Sequence, residues 1–349
     1  MRTFGWIQNP SSTTNLKSVV GLFVKNSASY NKLINETLPL LKKYNLIELD
    51  IDFDSYIKLL KTNKPELPYA ILKGKGCNGK ARNQAKCSGL VQALISAQKN
   101  ITLSNGNEKI TIKKPYTDDW TADGFLRWAI AIGFLKYDIK TDTCSITDLG
   151  TRFVRANNAD IEKEILGEAY LSYPPVTRVL SLLKENGHLT KFEIGNQLGF
   201  IGEAGFTSIS QNIWVASYVT ATTEDERTEL RSNVEGSSDK YARMICKWLI
   251  RLGWIIAAPK TVTVSYGGKN YKCKISQAYE ITAQGLKNLK KSFGTSKAKR
   301  IPKIVYLGML ATKAIDKDYV RLRRAHILKY LANGEKNLTA IQDFLKSKI

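Results

Sequence analysis

A chain of 349 residues with 53 Lys and Arg against 31 Asp and Glu carries a net charge of +22, an excess that favours a polyanionic partner, most often nucleic acid. Its 43% apolar share is ordinary for a globular chain with two or three cores and excludes disorder. No apolar run approaches the roughly 18–20 residues that span a bilayer, MRTFGWIQNP lacks a signal-peptide core, and five scattered cysteines argue against a disulfide framework or zinc site, so a cytoplasmic protein is expected.

In chain order, RTFGWIQNP is short, aromatic and broken by Pro10, and reads as an ordered arm. Residues 16–73 look mostly helical, with apolar clusters such as Leu38, Leu40, Leu41 and Leu46. The following KGKGCNGKARNQAK, residues 73–86, holds five basic residues and three glycines and must be a loop. It satisfies G-x-x-x-x-G-K, but Ala81 stands where a nucleotide-binding loop needs Ser or Thr for magnesium. The same composition suits DNA, with Lys75 and Lys80 on phosphates and Arg82 on a phosphate or a guanine edge. A helix is expected over residues 90–98, and ITLSNGNEKITIKK predicts a hairpin turning at Asn105-Gly106.

The next stretch recurs. Trp128 is followed five residues later by Gly133, then Phe134, and Trp248 five residues later by Gly253, then Trp254. Each copy continues through a hairpin-like gap to I-T-x-x-G, at Ile146–Gly150 and Ile281–Gly285. The spacing predicts a helix ending at Gly, a strand, a turn, a return strand and a further helix. In the second copy, VTVSY and KNYKCKI flank Gly267-Gly268, a hairpin turn. Upstream lie PPVTRVLSLLKENG and LTKFEIGNQLG, where Thr190 and Glu193 have capping-box spacing. Helix, capped helix, basic helix and β-wing in that order describe a winged helix-turn-helix. The intervening segment, residues 200–233, has room for extra helix.

The basic helix lies in RSNVEGSSDKYARMICKWLIRLGWII. Ser237, Ser238 and Asp239 offer N-cap oxygens, with the periodic run starting directly after them at Lys240. Tyr241, Ile245, Trp248 and Leu252 form an apolar stripe, while Lys240, Arg243, Lys247 and Arg251 recur on another face. A solvated charged face is the ordinary reading of such a helix. The alternative is recognition: Lys240 and Arg243 in the first turns reach bases, and Lys247 and Arg251 meet phosphates. Glu235 either accepts from a cytosine amine or favours the helix N-terminus electrostatically.

A basic linker, GTSKAKRIPK, supplies Lys297, Lys299 and Arg300 as phosphate contacts, and residues 283–349 hold 16 basic against four acidic side chains. HILKYLANGEKNLTAIQDFL then echoes the front half of the second module. The expected architecture is mainly α with small β-wings: tandem winged helix-turn-helix modules at 1–158 and 159–292, then a linker and an incomplete third module at 293–349. The chain stops where a third recognition helix would come, which suggests a truncation or a missing C-terminal domain. No paired D…(D/E)-x-K set or nucleophile–histidine arrangement assembles, so catalytic residues, metal ligands and cofactors are expected to be absent.

Five blocks, RTFGWIQNP, DDWTADGFLRWAIAIGF, IEKEILGEAYLSYPPVTRVLSLL, LTKFEIGNQLGFIGEAGFTS and EGSSDKYARMICKWL, resemble in order the DNA-recognition part of the FokI type IIS restriction endonucleases. The resemblance implies three helix-turn-helix subdomains reading an asymmetric GGATG-type site. It also implies a separate nuclease domain in cis or trans, which would be the holder of Mg2+. Carried over, the base-contacting residues are Gln8, Asn9, Arg82, Gln98, Trp120, Glu235, Lys240 and Arg243. Ser232 departs from the family's asparagine, with Asn233 directly after it. The implied function is sequence-specific binding of double-stranded DNA by a monomer. The rival expectations are a complete metal-dependent nuclease or nickase, and a winged-helix transcription regulator, which would pair as a dimer on a palindrome.

Overall fold

The computed structural model describes residues 12–48, 53–76, 85–105, 108–138, 140–198, 207–232 and 234–294, and 326–347 apart from 328, 332 and 335. The fold is mainly helical with small antiparallel sheets, and it divides between Tyr173 and Pro174 into two compact units. No helix among the described residues is long and apolar enough to cross a membrane.

The first unit begins with α1 (Thr13–Gly21), started by Ser12, whose hydroxyl accepts the Asn15 N–H at 3.2 Å. Helix α2 (Ala28–Lys32) runs through a π-helical turn, Leu33–Thr37, into α3 (Leu38–Lys43), and α4 (Phe53–Leu60) follows. Strand β1 (Leu67–Pro68) leads straight into α5 (Tyr69–Lys73). Helix α6 stops at Leu94 (Leu90–Leu94) and does not reach the expected residue 98. The Ala97 N–H bonds to the Lys114 carbonyl and the Lys114 N–H to that of Lys99, so hairpin pairing captures this segment. The hairpin is β2 (Asn100–Asn105) with β3 (Glu108–Lys113), and Asn105 is its last paired residue, opposite Glu108. Asn105 is thus a paired strand residue, and Gly106, the other residue of the expected turn, lies outside the described residues.

Helix α7 (Asp119–Ala131), capped by Asp118, is buried on nearly every side, with Trp128 fully enclosed. Strands β4 (Leu135–Asp138) and β5 (Thr143–Ile146) follow, and β1 pairs with β5 to give the order β1-β5-β4. Helices α8 (Asp148–Arg155) and α9 (Ala159–Leu171) complete the unit.

The second unit repeats the plan at greater length. It runs α10 (Pro174–Asn186), β6 (Leu189–Thr190), α11 (Lys191–Leu198), α12 (Gln211–Thr220), α13 (Glu224–Ser232) and α14 (Ser237–Arg251). Strands β7 (Ile255–Ala257), β8 (Lys260–Tyr266), β9 (Lys269–Ile275) and β10 (Ala278–Ile281) precede α15 (Ala283–Gly294). Its sheet order, β6-β10-β7, matches β1-β5-β4 of the first unit. The predicted capping box is formed: the Thr190 N–H reaches Glu193 at 2.7 Å and the Glu193 N–H reaches the Thr190 hydroxyl at 3.2 Å. Hairpin β8–β9 turns at Gly267-Gly268 with φ of 57° and 74°. Its alternation puts Val262, Val264, Cys273 and Ile275 into a core with Phe192, Trp214 and Val215, leaving Lys272 and Lys274 facing out.

The repeated sequence has a repeated cause. Gly133 and Gly253 close α7 and α14 in the left-handed region, at φ of 81° and 70°. The Thr147 hydroxyl donates toward the Gly133 and Phe134 carbonyls (2.7 and 3.1 Å) and accepts the Gly150 N–H at 3.0 Å. Thr282 does the same with Gly253, Trp254 and Gly285, at 2.7, 3.0 and 3.0 Å. A Cβ at Gly150 or Gly285 would strike the carbonyl of Phe134 or Trp254. In I-T-x-x-G, then, Thr caps a helix and Gly lets that helix touch the preceding strand. Near the C-terminus, α16 (Leu338–Lys346) is capped by Asn337, and Phe344 stacks on Tyr330 at 4.2 Å.

Candidate nucleic-acid interface

Helix α14 presents one cationic stripe. Tyr241, Ala242, Met244, Ile245, Cys246, Trp248 and Leu249 are buried, whereas Lys240, Lys247 and Arg251 are exposed. Arg243 lies between them, its side chain 30% exposed. The helix starts at Ser237, three residues before the expected Lys240, because Asp239 serves it from within. The buried Asp239 carboxylate accepts the Gly236 N–H at 3.1 Å, the Ile209 N–H at 2.8 Å and the Ser208 hydroxyl. Burial raises its pKa, against the lowering effect of those donors. On α11, Gly195 makes room for this arrangement, since a Cβ there would strike Asp239.

Glu235 lies just before the helix with its side chain 1% exposed. Its Oε1 accepts from Lys191 Nζ at 3.1 Å and Arg243 Nε at 2.9 Å, and its Oε2 from Arg243 Nη2 at 2.9 Å. The guanidinium is thus gripped on its Nε edge, the strong two-bond geometry of an Arg–carboxylate pair. Burial pushes the Glu235 pKa up, but Arg243 and Lys191 outweigh it and hold the carboxyl below its ordinary value. For Lys191, 2% exposed at the first position of α11, burial wins over Glu235 and lowers the pKa. The buried Asp239 carboxylate also acts on Lys191, and two cations flank the Glu235 carboxylate. Glu235 reaches a base edge only by exchanging one of these partners for it.

In the first unit, Trp120 stands on the first turn of α7, 52% exposed, and Gln98 is exposed on the segment entering β2. Lys75 is exposed too, and its N–H bonds to the Ser88 hydroxyl at 2.8 Å. The base of the loop from 74 to 89 is pinned. Ser88 N–H reaches Gln92 at 2.7 Å, Tyr116 reaches the Ala85 carbonyl at 3.0 Å, and a Cβ on Gly89 would strike the Gly74 backbone. Gln8, Asn9, Lys80, Arg82, Asn233, Lys297, Lys299 and Arg300, and the Ser232 side chain, lie outside the described residues.

Sequence reasoning missed Lys191, read only as the residue after a cap, and Asp239 as an inward carboxylate. It also missed an ionic cluster on α7: Asp123 accepts from Tyr69 at 2.7 Å and from Arg127 Nε at 2.6 Å. The clue to Arg127 was its place seven residues after Trp120, two turns along the same face.

Family models for the FokI recognition domain match the chain in order: subdomain 1 over residues 2–156, subdomain 2 over 162–297 and the D3 domain over 310–348. The chain is similar to the type II restriction enzyme FokI of Planomicrobium okeanokoites, with 43% identity over 99% of this chain and 57% of that protein. It is also similar to the type II restriction enzyme StsI of Streptococcus sanguinis, 27% identical over 93% of this chain and 51% of that one. Two solved structures superpose on it at 41% identity over 99% of its length. One is of restriction endonuclease FokI, with a TM-score of 0.82 over 58% of that chain; the other, of FokI bound to DNA, gives 0.83 over 56%. The chain therefore spans little more than half the length of the proteins it matches.

Proposed function

Because the chain belongs to the FokI restriction-enzyme family through its recognition subdomains, we propose that it binds double-stranded DNA sequence-specifically as a recognition module. The observation that carries this reading is the α14 stripe, whose one part-buried cation, Arg243, is aimed by a buried carboxylate while Lys240, Lys247 and Arg251 stand in solvent. A merely solvated face has no use for a buried Lys191 and Glu235 behind it. On this reading each unit is a winged helix-turn-helix, with α7 and α14 as the recognition helices and β8–β9 as an enlarged wing; the matching sheet orders β1-β5-β4 and β6-β10-β7 support it.

On this reading Lys240 and Arg243 take guanine edges, Trp120 and Gln98 act from the first unit, and Lys75, Lys247 and Arg251 take phosphates. The site is asymmetric, since the two modules are unequal, and GGATG-like on the strength of the family resemblance, and one chain suffices as a monomer. Cleavage belongs to a nuclease domain in cis or trans. Among the described residues no three His, Cys, Asp or Glu side chains gather as a metal site.

The test is a titration of the chain against randomised duplexes, with discrimination expected well above tenfold because each good bidentate base contact is worth about 1–3 kcal/mol. A flat preference overturns the reading. Lys247→Ala should weaken every duplex alike and flatten the dependence of log K on log salt by about 0.9, as for one lost phosphate. A loss confined to one base pair contradicts its assignment to the backbone.

A further inference from the structure

The two units share a device that their sequences disguise. In each, a two-residue strand, Leu67–Pro68 or Leu189–Thr190, leads straight into a helix, α5 or α11, whose first residue turns inward: Tyr69 or Lys191. Each inward side chain donates to a carboxylate shielded from solvent, Asp123 or Glu235, and each carboxylate grips the Nε of an arginine on the recognition-type helix, Arg127 or Arg243. Tyr69 and Lys191 share a place but not a side-chain type, and with Trp128 matched to Trp248 the carboxylates and arginines fall out of register, Asp123 opposite Arg243 and Arg127 opposite Lys247, so only the geometry reveals the match.

Resting on the DNA-binding reading above, we propose that Arg127 is a DNA-phosphate contact of the first module, held ready by Asp123 and Tyr69. An ordinary i,i+4 surface pair leaves both partners in water and contributes little. Here the Arg127 side chain is 40% exposed but Asp123 only 12%, and the fully buried Tyr69 fixes the carboxylate from behind. Asp123 takes Nε alone, and the two terminal nitrogens of Arg127 have no partner among the described residues. A guanidinium anchored at one edge with its terminal amino groups open is preorganised for two oxygens of a phosphate. Within α7, Trp120 is the one exposed residue, and Asp119, Thr121 and Arg127 are part-exposed, with the Asp119 carboxylate 3.8 Å from the Lys73 ammonium, so any ligand meeting that helix meets these side chains and Arg127 is the helix's own cation among them. Two turns beyond Trp120, Arg127 stands where a recognition helix has left the bases and meets the backbone.

The experiment measures affinity of the whole chain for a duplex carrying its preferred site and for random duplexes, each across a range of salt. Arg127→Gln should weaken both about tenfold, in keeping with a charge-assisted bond, and flatten the salt dependence by about 0.9. Arg127→Lys, which keeps the charge but loses the Nε anchor, should retain the wild-type slope and fall between the two in affinity. Unchanged affinity in Arg127→Gln overturns the proposal while leaving DNA recognition standing. A loss at one base pair alone overturns the phosphate assignment. Failure of the wild-type chain to bind any duplex instead removes the reading on which the proposal rests, and the proposal with it.

Discussion

Glu235→Gln is expected to destabilise the second unit by about 3–5 kcal/mol at pH 7, the usual cost of leaving a buried charge without its counter-ion. The stranded charge is Lys191, 2% exposed, with the Glu235 carboxylate at 3.1 Å. The deficit should depend on pH in a defined direction. Glu235 titrates below its ordinary 4.5, so its stabilising contribution is complete above that value. It is lost as pH falls through the depressed folded-state pKa, and there wild type converges on the variant. On the alkaline side Lys191, already lowered by burial, loses its proton more readily still without Glu235, so the gap narrows again toward 10.5. Urea denaturation of both proteins at acid, neutral and alkaline pH measures the curve. A neutral-pH difference under about 1 kcal/mol would show that Glu235 is not the counter-ion of a buried lysine.

A second substitution separates stability from aim. Lys191→Met added to Glu235→Gln removes the stranded charge and should recover most of the loss, since buried ion pairs often exchange for apolar contacts at little cost. Discrimination between duplexes should not recover with it. The two-bond grip on Arg243 needs a full carboxylate, and a guanidinium free to swing loses its selective geometry for guanine O6 and N7.

How far the molecule was legible in advance depended on the range over which each feature is decided. The Thr190/Glu193 capping box, the Gly267-Gly268 turn and the two copies of I-T-x-x-G were readable because a few consecutive residues settle them, and each is formed as expected. The end of α6 was not, because Ala97 leaves the helix to pair with Lys114, which is distant in sequence. The role of Lys191 was hidden for the same reason: its partner Glu235 is 44 residues away. Tyr69 and Asp123, separated by 54, present no periodic signal at all. The cationic stripe of α14 was visible as spacing. What aims Arg243 within it belongs to the packing of α11 against α14, which no window along the chain contains.

The same crossing supports a further expected result, in which two substitutions at one position differ sharply. Asp239→Ala should cost about 3 kcal/mol or more, and Asp239→Asn less than about 1 kcal/mol. The alanine leaves the N–H groups of Gly236 and Ile209 and the Ser208 hydroxyl without their acceptor in a buried place, and each such group costs about 1–3 kcal/mol. Both backbone donors converge on one oxygen, Oδ2, and only the Ser208 hydroxyl uses the other. An asparagine with its carbonyl at the Oδ2 position keeps both backbone bonds. Its amide nitrogen then donates to Ser208, whose hydroxyl turns from donor to acceptor. The neutral amide also escapes the desolvation that raises the Asp239 pKa. Because that pKa is raised in the folded state, the aspartate's contribution falls as pH rises from its ordinary 3.8 through the higher folded value. The Asn variant should therefore have the flatter stability profile across that range. Affinity should follow the same order. With Asp239→Ala, α14 loses the tie between its first turn and residues 207–209, and with it the fixed placement of Lys240 and Arg243. Equal damage from Asn and Ala would mean that the negative charge, and not its pattern of accepted hydrogen bonds, holds the start of the recognition helix.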